Sequence, residues 1–228
     1  SKAPDIDFED VGGADSELDT GTHAFIAGST GTILEHDGNA WNAVETGFYP
    51  DMNGVWGYAA DRMFAVGDVG TILAYDGYRW RKSSAPTYAD LNGVSGCTTE
   101  EGLHLVAVGD DGTILLFDGM QWRPMVSGTE ADLYGVWIAP APDGVTDGAA
   151  GWTGFAVGRS GLILHYDGIG WQPMESDATR HLYAVWGSAP SDVYAVGHAG
   201  MVLHYDGFHW DLVATDKKIT FRGVWGRS

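Results

Sequence analysis

Five polar residues share one repeated place in this chain. Ser29, Asp68, Asp110 (followed by Asp111), Arg159 and His198 each come after the glycine that ends a short apolar run. Two carboxylates beside an arginine and a histidine would suit glycoside hydrolysis, where one acid protonates the leaving oxygen and the other serves as base or nucleophile. On that reading Asp68, Asp110 or Asp111 do the chemistry and Arg159 or His198 hold substrate. The alternative is a rim of turn residues that binds or merely solvates. A second variable set, Asn53, Asn92, Tyr134, Tyr183 and Arg222, takes the second position of another repeated block. Amides, phenols and a guanidinium supply the donors, acceptors and stacking faces that fix a neutral polar ligand such as a sugar. The same groups would equally bond one another and ordered water to close a pore.

Other reactive residue types point to structure. His165 and His204 match in place, but the corresponding residues elsewhere are Glu35, Ala74 and Leu116, and no close HxH or HxxxH pair supports a metal site. There is no GxxxxGK, no GxSxG and no Cys-His pairing, so neither a cofactor nor a thiol nucleophile is expected. Cys97 stands alone, cannot form an internal disulfide, and reads as a small turn residue. Trp41, Trp80, Trp122, Trp171 and Trp210 recur at one place and Trp56, Trp137, Trp186 and Trp225 at another, which is the distribution of packing residues. Asp37, Asp76, Asp118, Asp167 and Asp206 each precede a glycine and read as turn-forming aspartates. Trp152 lies outside the pattern and is freer to touch a ligand.

The elements that position these residues emerge from an internal repeat. FAVGDVGTILAYDGYRW at Phe64–Trp80 recurs from Phe25, Leu105, Phe155 and Tyr194, and its glycines Gly28, Gly67, Gly109, Gly158 and Gly197 are 39 to 49 residues apart. That is the length of a four-stranded propeller blade. Within each unit, strand A reads LxGVWG, strand B the xYAVG run, strand C GTILxYDG, and strand D begins at the tryptophan. A two-residue turn joins B to C, and the Asp-Gly after C is a hairpin signal. Strand A precedes every unit but the first, and its fifth copy, FRGVWG at Phe221–Gly226, has no unit after it. The pattern predicts an all-β, five-bladed β-propeller of four-stranded antiparallel blades, closed by that C-terminal strand beside the strand starting near His23. Closure removes two exposed sheet edges.

The repeat VGDVGTILAYDGYRW resembles those of propellers related to the photosystem II assembly and stability factor and, more loosely, the Asp-box repeat of sialidase-type propellers. The resemblance covers roughly residues 23 to 228. Here Asp76 and Trp80 are four apart, against five in the Asp-box, and the assembly factors have seven blades. It implies blade geometry, with the B–C and D–A connections on the usual ligand face, and carries over no catalytic residue.

The expected organisation is an acidic leader or linker over 1–22 and one propeller over 23–228. Blade 1 takes 23–45 plus 221–228, blade 2 52–84, blade 3 91–126, blade 4 133–175 and blade 5 182–214. An insertion from Ile138 to Gly151 lengthens the A–B loop of blade 4 on the face opposite the variable residues. A formal charge of −19 repels nucleic acid and anionic headgroups. No stretch approaches the roughly 18 apolar residues of a membrane span. The sequence therefore predicts a monomeric, non-catalytic binding module outside the cytoplasm. It would recognise a carbohydrate or a protein through Asn53, Asn92, Tyr134, Tyr183, Arg222, Asp68, Asp110, Arg159 and His198. A hydrolase and a ligand-free assembly scaffold are the alternatives.

Overall fold

The computed structural model describes residues 24–59, 61–142, 151–213 and 219–226. The expected leader over 1–22 and the centre of the blade 4 insertion lie outside the described residues. Blade 1 holds β1 (Ala24–Ala27), β2 (Ile33–His36) and β3 (Trp41–Val44). Blade 2 holds β4 (Met52–Ala59), β5 (Arg62–Gly67), β6 (Thr71–Tyr75) and β7 (Trp80–Ser83), and blade 3 holds β8 (Leu91–Thr99), β9 (Gly102–Gly109), β10 (Ile114–Phe117) and β11 (Trp122–Met125). Blade 4 holds β12 (Leu133–Pro140), β13 (Trp152–Gly158), β14 (Ile163–Tyr166) and β15 (Trp171–Pro173). Blade 5 holds β16 (Leu182–Ala189), β17 (Asp192–Gly197), β18 (Val202–Tyr205) and β19 (Trp210–Val213). Each blade is an antiparallel meander, four-stranded in blades 2 to 5 and three-stranded in blade 1. The protein is thus an all-β, five-bladed propeller, with β4, β8, β12 and β16 lying side by side as its inner strands.

Two turn types set the strand spacing. At each B–C junction the residue before a glycine sits in the left-handed region: Thr30, Val69, Asp111, Ser160 and Ala199 all have φ of 54° to 58°. The following glycine also has positive φ, and the turn closes by a bond such as Thr71 N–H to Asp68 O at 3.1 Å. That is the type I′ geometry whose twist matches paired strands. At each C–D junction the aspartate closes its own turn: Asp76 Oδ1 accepts the N–H groups of Tyr78 and Arg79 at 3.0 and 2.9 Å, and the other four aspartates do the same. These N–H groups, which would otherwise need water, explain why an aspartate recurs there.

Packing runs from blade to blade. Four buried cores each join two successive blades, from blades 1 and 2 through blades 4 and 5. The strand D tryptophan reaches back to the preceding blade, with Trp80 at 6.0 Å from Phe25 and Trp210 at 5.4 Å from Phe155. The strand A residue at the tryptophan position reaches forward. Trp56 lies over Gly96, Trp137 over Gly187 and Trp186 over Gly226, where an added Cβ would come within 2.6 to 2.9 Å of the indole. In blade 3 that position is Ser95, and the residue it meets is Ile138, whose N–H donates to Ser95 Oγ at 3.2 Å. Large opposite small thus holds across all four junctions.

Ring closure takes a different form from that expected. Among the described residues, β1 pairs with β2 alone and Phe221–Gly226 pairs with no strand. Phe221 N–H instead donates to Gly197 O at 3.0 Å, repeating the bond from Met52 N–H to Gly28 O. The segment therefore continues the inner series beside blade 5. No described core joins blade 5 to blade 1, and the tryptophans at the two ends are uncovered, Trp41 at 47% exposure and Trp225 at 82%. The expectation that all nine repeated tryptophans serve packing holds for the other seven, which are buried or half-buried.

Three smaller expectations are corrected. Cys97 is no turn residue: it lies in β8, buried in the core between blades 3 and 4, and burial pushes its thiol up to about 12. Trp152 is no surface contact: it opens β13, is wholly buried and stacks on Tyr166 at 4.0 Å. The blade 4 insertion is shorter than it reads, because β12 extends to Pro140 and Ala141 N–H bonds Gly151 O at 3.0 Å. In each case strand pairing and a core vacancy override the local sequence.

Candidate functional site

The B–C turns and D–A loops meet on one face. The N–H groups of Asp68, Asp110, Arg159 and His198 donate to the carbonyls of Asp51, Asp90, Asp132 and His181, the residues that precede strand A of the same blade. Those four residues also reach back to the preceding blade. Asp51, Asp90 and Asp132 accept from the N–H of Thr30, Val69 and Asp111 through Oδ1, and His181 accepts from Ser160 N–H through Nδ1 at 3.0 Å. One side chain thereby fastens each turn to the next blade. The A–B turns lie on the opposite face with the C–D turns, since Gly77 abuts Asp61 and Gly207 abuts Ser191.

On this face the two variable sets interlock, blade by blade. Asn53 Nδ2 donates to Asp68 Oδ1 at 2.9 Å and to Leu91 O of the next blade at 3.1 Å. Asn92 Nδ2 does the same to Asp110 Oδ1 at 2.8 Å and Leu133 O at 3.0 Å. In blades 2 and 3, then, amide and carboxylate satisfy each other and stitch blade to blade. Neither candidate acid of the hydrolase reading is bonded to the other, and Asp111 occupies the left-handed turn position one residue on.

Blades 4 and 5 are built differently. Tyr134 lies 5.5 Å from Tyr183, ring centre to ring centre, and His181 stands edge-on to both at 6.0 and 6.2 Å. The Arg222 guanidinium sits over the Tyr183 ring at 5.2 Å. Burial, followed by the charge of Asp132, raises the Tyr134 phenol above its usual value, so it stays a neutral donor and acceptor. Arg159 is exposed beside Asp132 at 3.5 Å, an ion pair of little strength in water. His198 is exposed at the head of its turn. The result is a half-buried aromatic cluster flanked by three cationic or titratable groups, on a chain whose net charge is strongly negative. It offers stacking faces and cationic partners for a carboxylate.

Sequence reasoning missed His181. Its signal is the residue before strand A, which runs Asp51, Asp90, Asp132 and then His181. The change falls between blades 4 and 5, one blade after the inner residue changes from asparagine to tyrosine. His165 and His204 lie apart from this face. His165 Nε2 is 3.0 Å from Thr153 Oγ1, and His204 Nε2 is 2.7 Å from Asp192 Oδ1, with Ser188 Oγ donating to the same carboxylate. Ser188 and His204 share Asp192 rather than each other, which is not the arrangement of an activated serine. Among the described residues no three His, Cys, Asp or Glu side chains group as metal ligands, and no helix is long and apolar enough to cross a membrane.

The fold and this face define a β-propeller with a polar and aromatic inner rim. No protein-family model matches the chain, and no curated protein matches it in sequence. Solved structures do resemble it. One is described as YCF48 bound to D1 peptide, with a TM-score of 0.59 and 18% identity over 86% of this chain and 65% of that one. Another is YCF48 from Cyanidioschyzon merolae, with a TM-score of 0.57 and 16% identity over 84% of this chain and 66% of that one. YCF48 is a photosystem II assembly factor and a β-propeller. The chain spans a little under two thirds of the length of either structure. At this identity the likeness is one of fold.

Proposed function

We propose that this chain is a non-catalytic module that holds a segment of a partner protein across the face of the B–C turns and D–A loops. The anchor is the cluster of Tyr134, His181, Tyr183 and Arg222. One observation carries this reading: the inner rim is satisfied internally in blades 2 and 3 by Asn–Asp pairs, whereas in blades 4 and 5 it presents aromatic faces and a guanidinium. Aromatic residues and arginine are the types that dominate binding at protein interfaces. A propeller of similar fold, described as bound to a peptide, gives the reading support by analogy. A partner's apolar or prolyl side chain would lie on the Tyr183 and Tyr134 rings, and a partner carboxylate would meet Arg222 or Arg159. Asp68 and Asp110 each commit an oxygen to an amide, which favours binding over catalysis.

A carbohydrate would use the same rings, so the experiment treats both. A displayed peptide library is selected against the whole chain, selected peptides are titrated by calorimetry, and a glycan array is read in parallel. Tyr183→Ala and Arg222→Ala should each weaken peptide binding by about tenfold or more. Asp76→Ala, on the opposite face, should leave it unchanged. Peptides that bind the Tyr183 variant as tightly as the parent would refute the site. Glycans bound through Tyr183 with no peptide selected would transfer the site to a sugar.

A further inference from the structure

We infer that Val69 and Tyr88 form a second anchor for the partner segment proposed above, taking one of its apolar side chains on the blade 2 side of the face; the inference rests on that reading of the face. Val69 occupies the left-handed place of its B–C turn at φ 55°, where the other blades carry Thr30, Asp111, Ser160 and Ala199. A β-branched residue fits that region poorly, and its side chain is 58% exposed, so packing within the chain does not offset the strain. Strained positions of this kind collect at sites that hold a ligand. Tyr88 stands beside it. Val69 N–H donates to Asp90 Oδ1 at 2.8 Å and Gly70 N–H to Ala89 O at 2.9 Å, which fixes the turn against the loop that carries Tyr88. Tyr88 is 88% exposed. An open valine and an open tyrosine thus share one corner of the face, on two segments bonded to each other.

A row of hydrogen bonds joins this corner to the aromatic cluster. Asp90 accepts from Val69 N–H through its side chain and from Asp110 N–H through its carbonyl at 2.9 Å. Asp132 likewise accepts from Asp111 N–H through Oδ1 at 3.3 Å and from Arg159 N–H through its carbonyl at 2.9 Å. The next residue of the row is His181, which stands edge-on to Tyr134 and Tyr183. The two anchors therefore lie on one continuous rim, separated by the B–C turn of blade 3 and the loop after its strand D. That stretch is acidic, with Asp111 and Glu130 both exposed. An extended segment reaches both anchors, and charge complementarity gives it a basic residue between an apolar one at Val69 and Tyr88 and a carboxylate at Arg159 or Arg222. The order along the partner, in either chain direction, is apolar, basic, acidic.

The test titrates peptides selected on the whole chain against single variants by calorimetry. Tyr88→Ala should weaken binding by about fivefold or more, and Val69→Thr by about threefold. Threonine keeps the branch at Cβ and already occupies this turn in blade 1 as Thr30, so a loss reports the missing apolar contact and not a changed turn. Val69→Asn should weaken binding to a similar degree while raising Tm, a split that a merely structural valine would not produce. Tyr78→Ala, which removes an 84% exposed ring from a C–D turn on the opposite face, should leave binding unchanged. Replacing the peptide's apolar residue by alanine should abolish the effect of Tyr88→Ala and leave that of Tyr183→Ala in full. Peptides weakened by Tyr183→Ala but indifferent to the Tyr88 and Val69 variants overturn this inference and leave the aromatic cluster standing. Peptides weakened by Tyr88→Ala but indifferent to Tyr183→Ala support the second anchor and remove the first. Selected peptides without the apolar, basic, acidic order overturn the inference, as does failure to select any.

Discussion

Val69 is a β-branched residue held at φ 55°, and its replacement by asparagine should stabilise the protein. A left-handed L-residue is disfavoured by about 1–2 kcal/mol, and branching at Cβ makes this worse. The side chain is 58% exposed, so little packing is lost when it goes. The backbone bonds of the turn, Val69 N–H to Asp90 Oδ1 at 2.8 Å and Thr71 N–H to Asp68 O at 3.1 Å, do not involve the side chain and persist. Asn-Gly is the favoured type I′ pair, so Val69→Asn should recover about 1 kcal/mol. Glycine relieves the strain fully but loosens the unfolded chain by about 0.5–1 kcal/mol, so Val69→Gly should gain less. For a domain of this size 1 kcal/mol corresponds to about 2–4 °C in Tm. The five turns form an internal series. The gain on substitution by asparagine should be largest at Val69 and Thr30, smaller at Ser160 and Ala199, and near zero at Asp111, whose short polar side chain already tolerates this region. Scanning calorimetry of the five single variants decides it. A flat series, or a Tm that falls for Val69→Asn, would refute the claim that turn strain rather than side-chain contact sets the effect.

Three further outcomes follow from the same geometry. Asp76→Ala removes the acceptor for two turn N–H groups and the partner of Arg81 at 2.7 Å, and should cost about 1–2 kcal/mol by denaturant titration while leaving peptide binding intact. All five C–D aspartates have carboxyls below their usual range. In Asp76 and Asp118 burial pushes upward and is outweighed by the turn N–H groups and a neighbouring arginine, whereas in Asp37, Asp167 and Asp206 the turn N–H groups dominate. A carboxyl depressed in the native state contributes stability above its unfolded value of about 3.9 and loses it as pH falls through the native one. Stability should therefore drop as pH is lowered below about 4, and Asp76→Asn should make that pH dependence shallower in parallel acid titrations followed by circular dichroism. Trp152→Ala empties a fully buried site between blades 3 and 4 and should cost about 3–5 kcal/mol, read as a lower denaturation midpoint.

Blade number, strand order and both turn types could be read from the sequence because each depends on residues close together in the chain. Asp-Gly before a tryptophan, a glycine after a left-handed residue, and alternating apolar strands recur at a fixed spacing, and the hairpins they dictate are local. The size rule between inner strands was also present in the letters, as LNGVSG followed by LYGVWI, but nothing local says that the fifth place of one copy meets the sixth of the next. Cys97 and Trp152 depart from expectation for the same reason: the residue type at their places varies from blade to blade, so burial there is set by neighbours distant in sequence. Asn53 and Asp68, Asn92 and Asp110, and Tyr134 and Tyr183 were visible as variable positions. Which would satisfy each other and which would remain open to a partner was decided by the distance between blades. The placement of Phe221–Gly226 beside blade 5, unpaired with β1 among the described residues, is likewise tertiary, because the motif specifies a strand A but not the neighbour it meets.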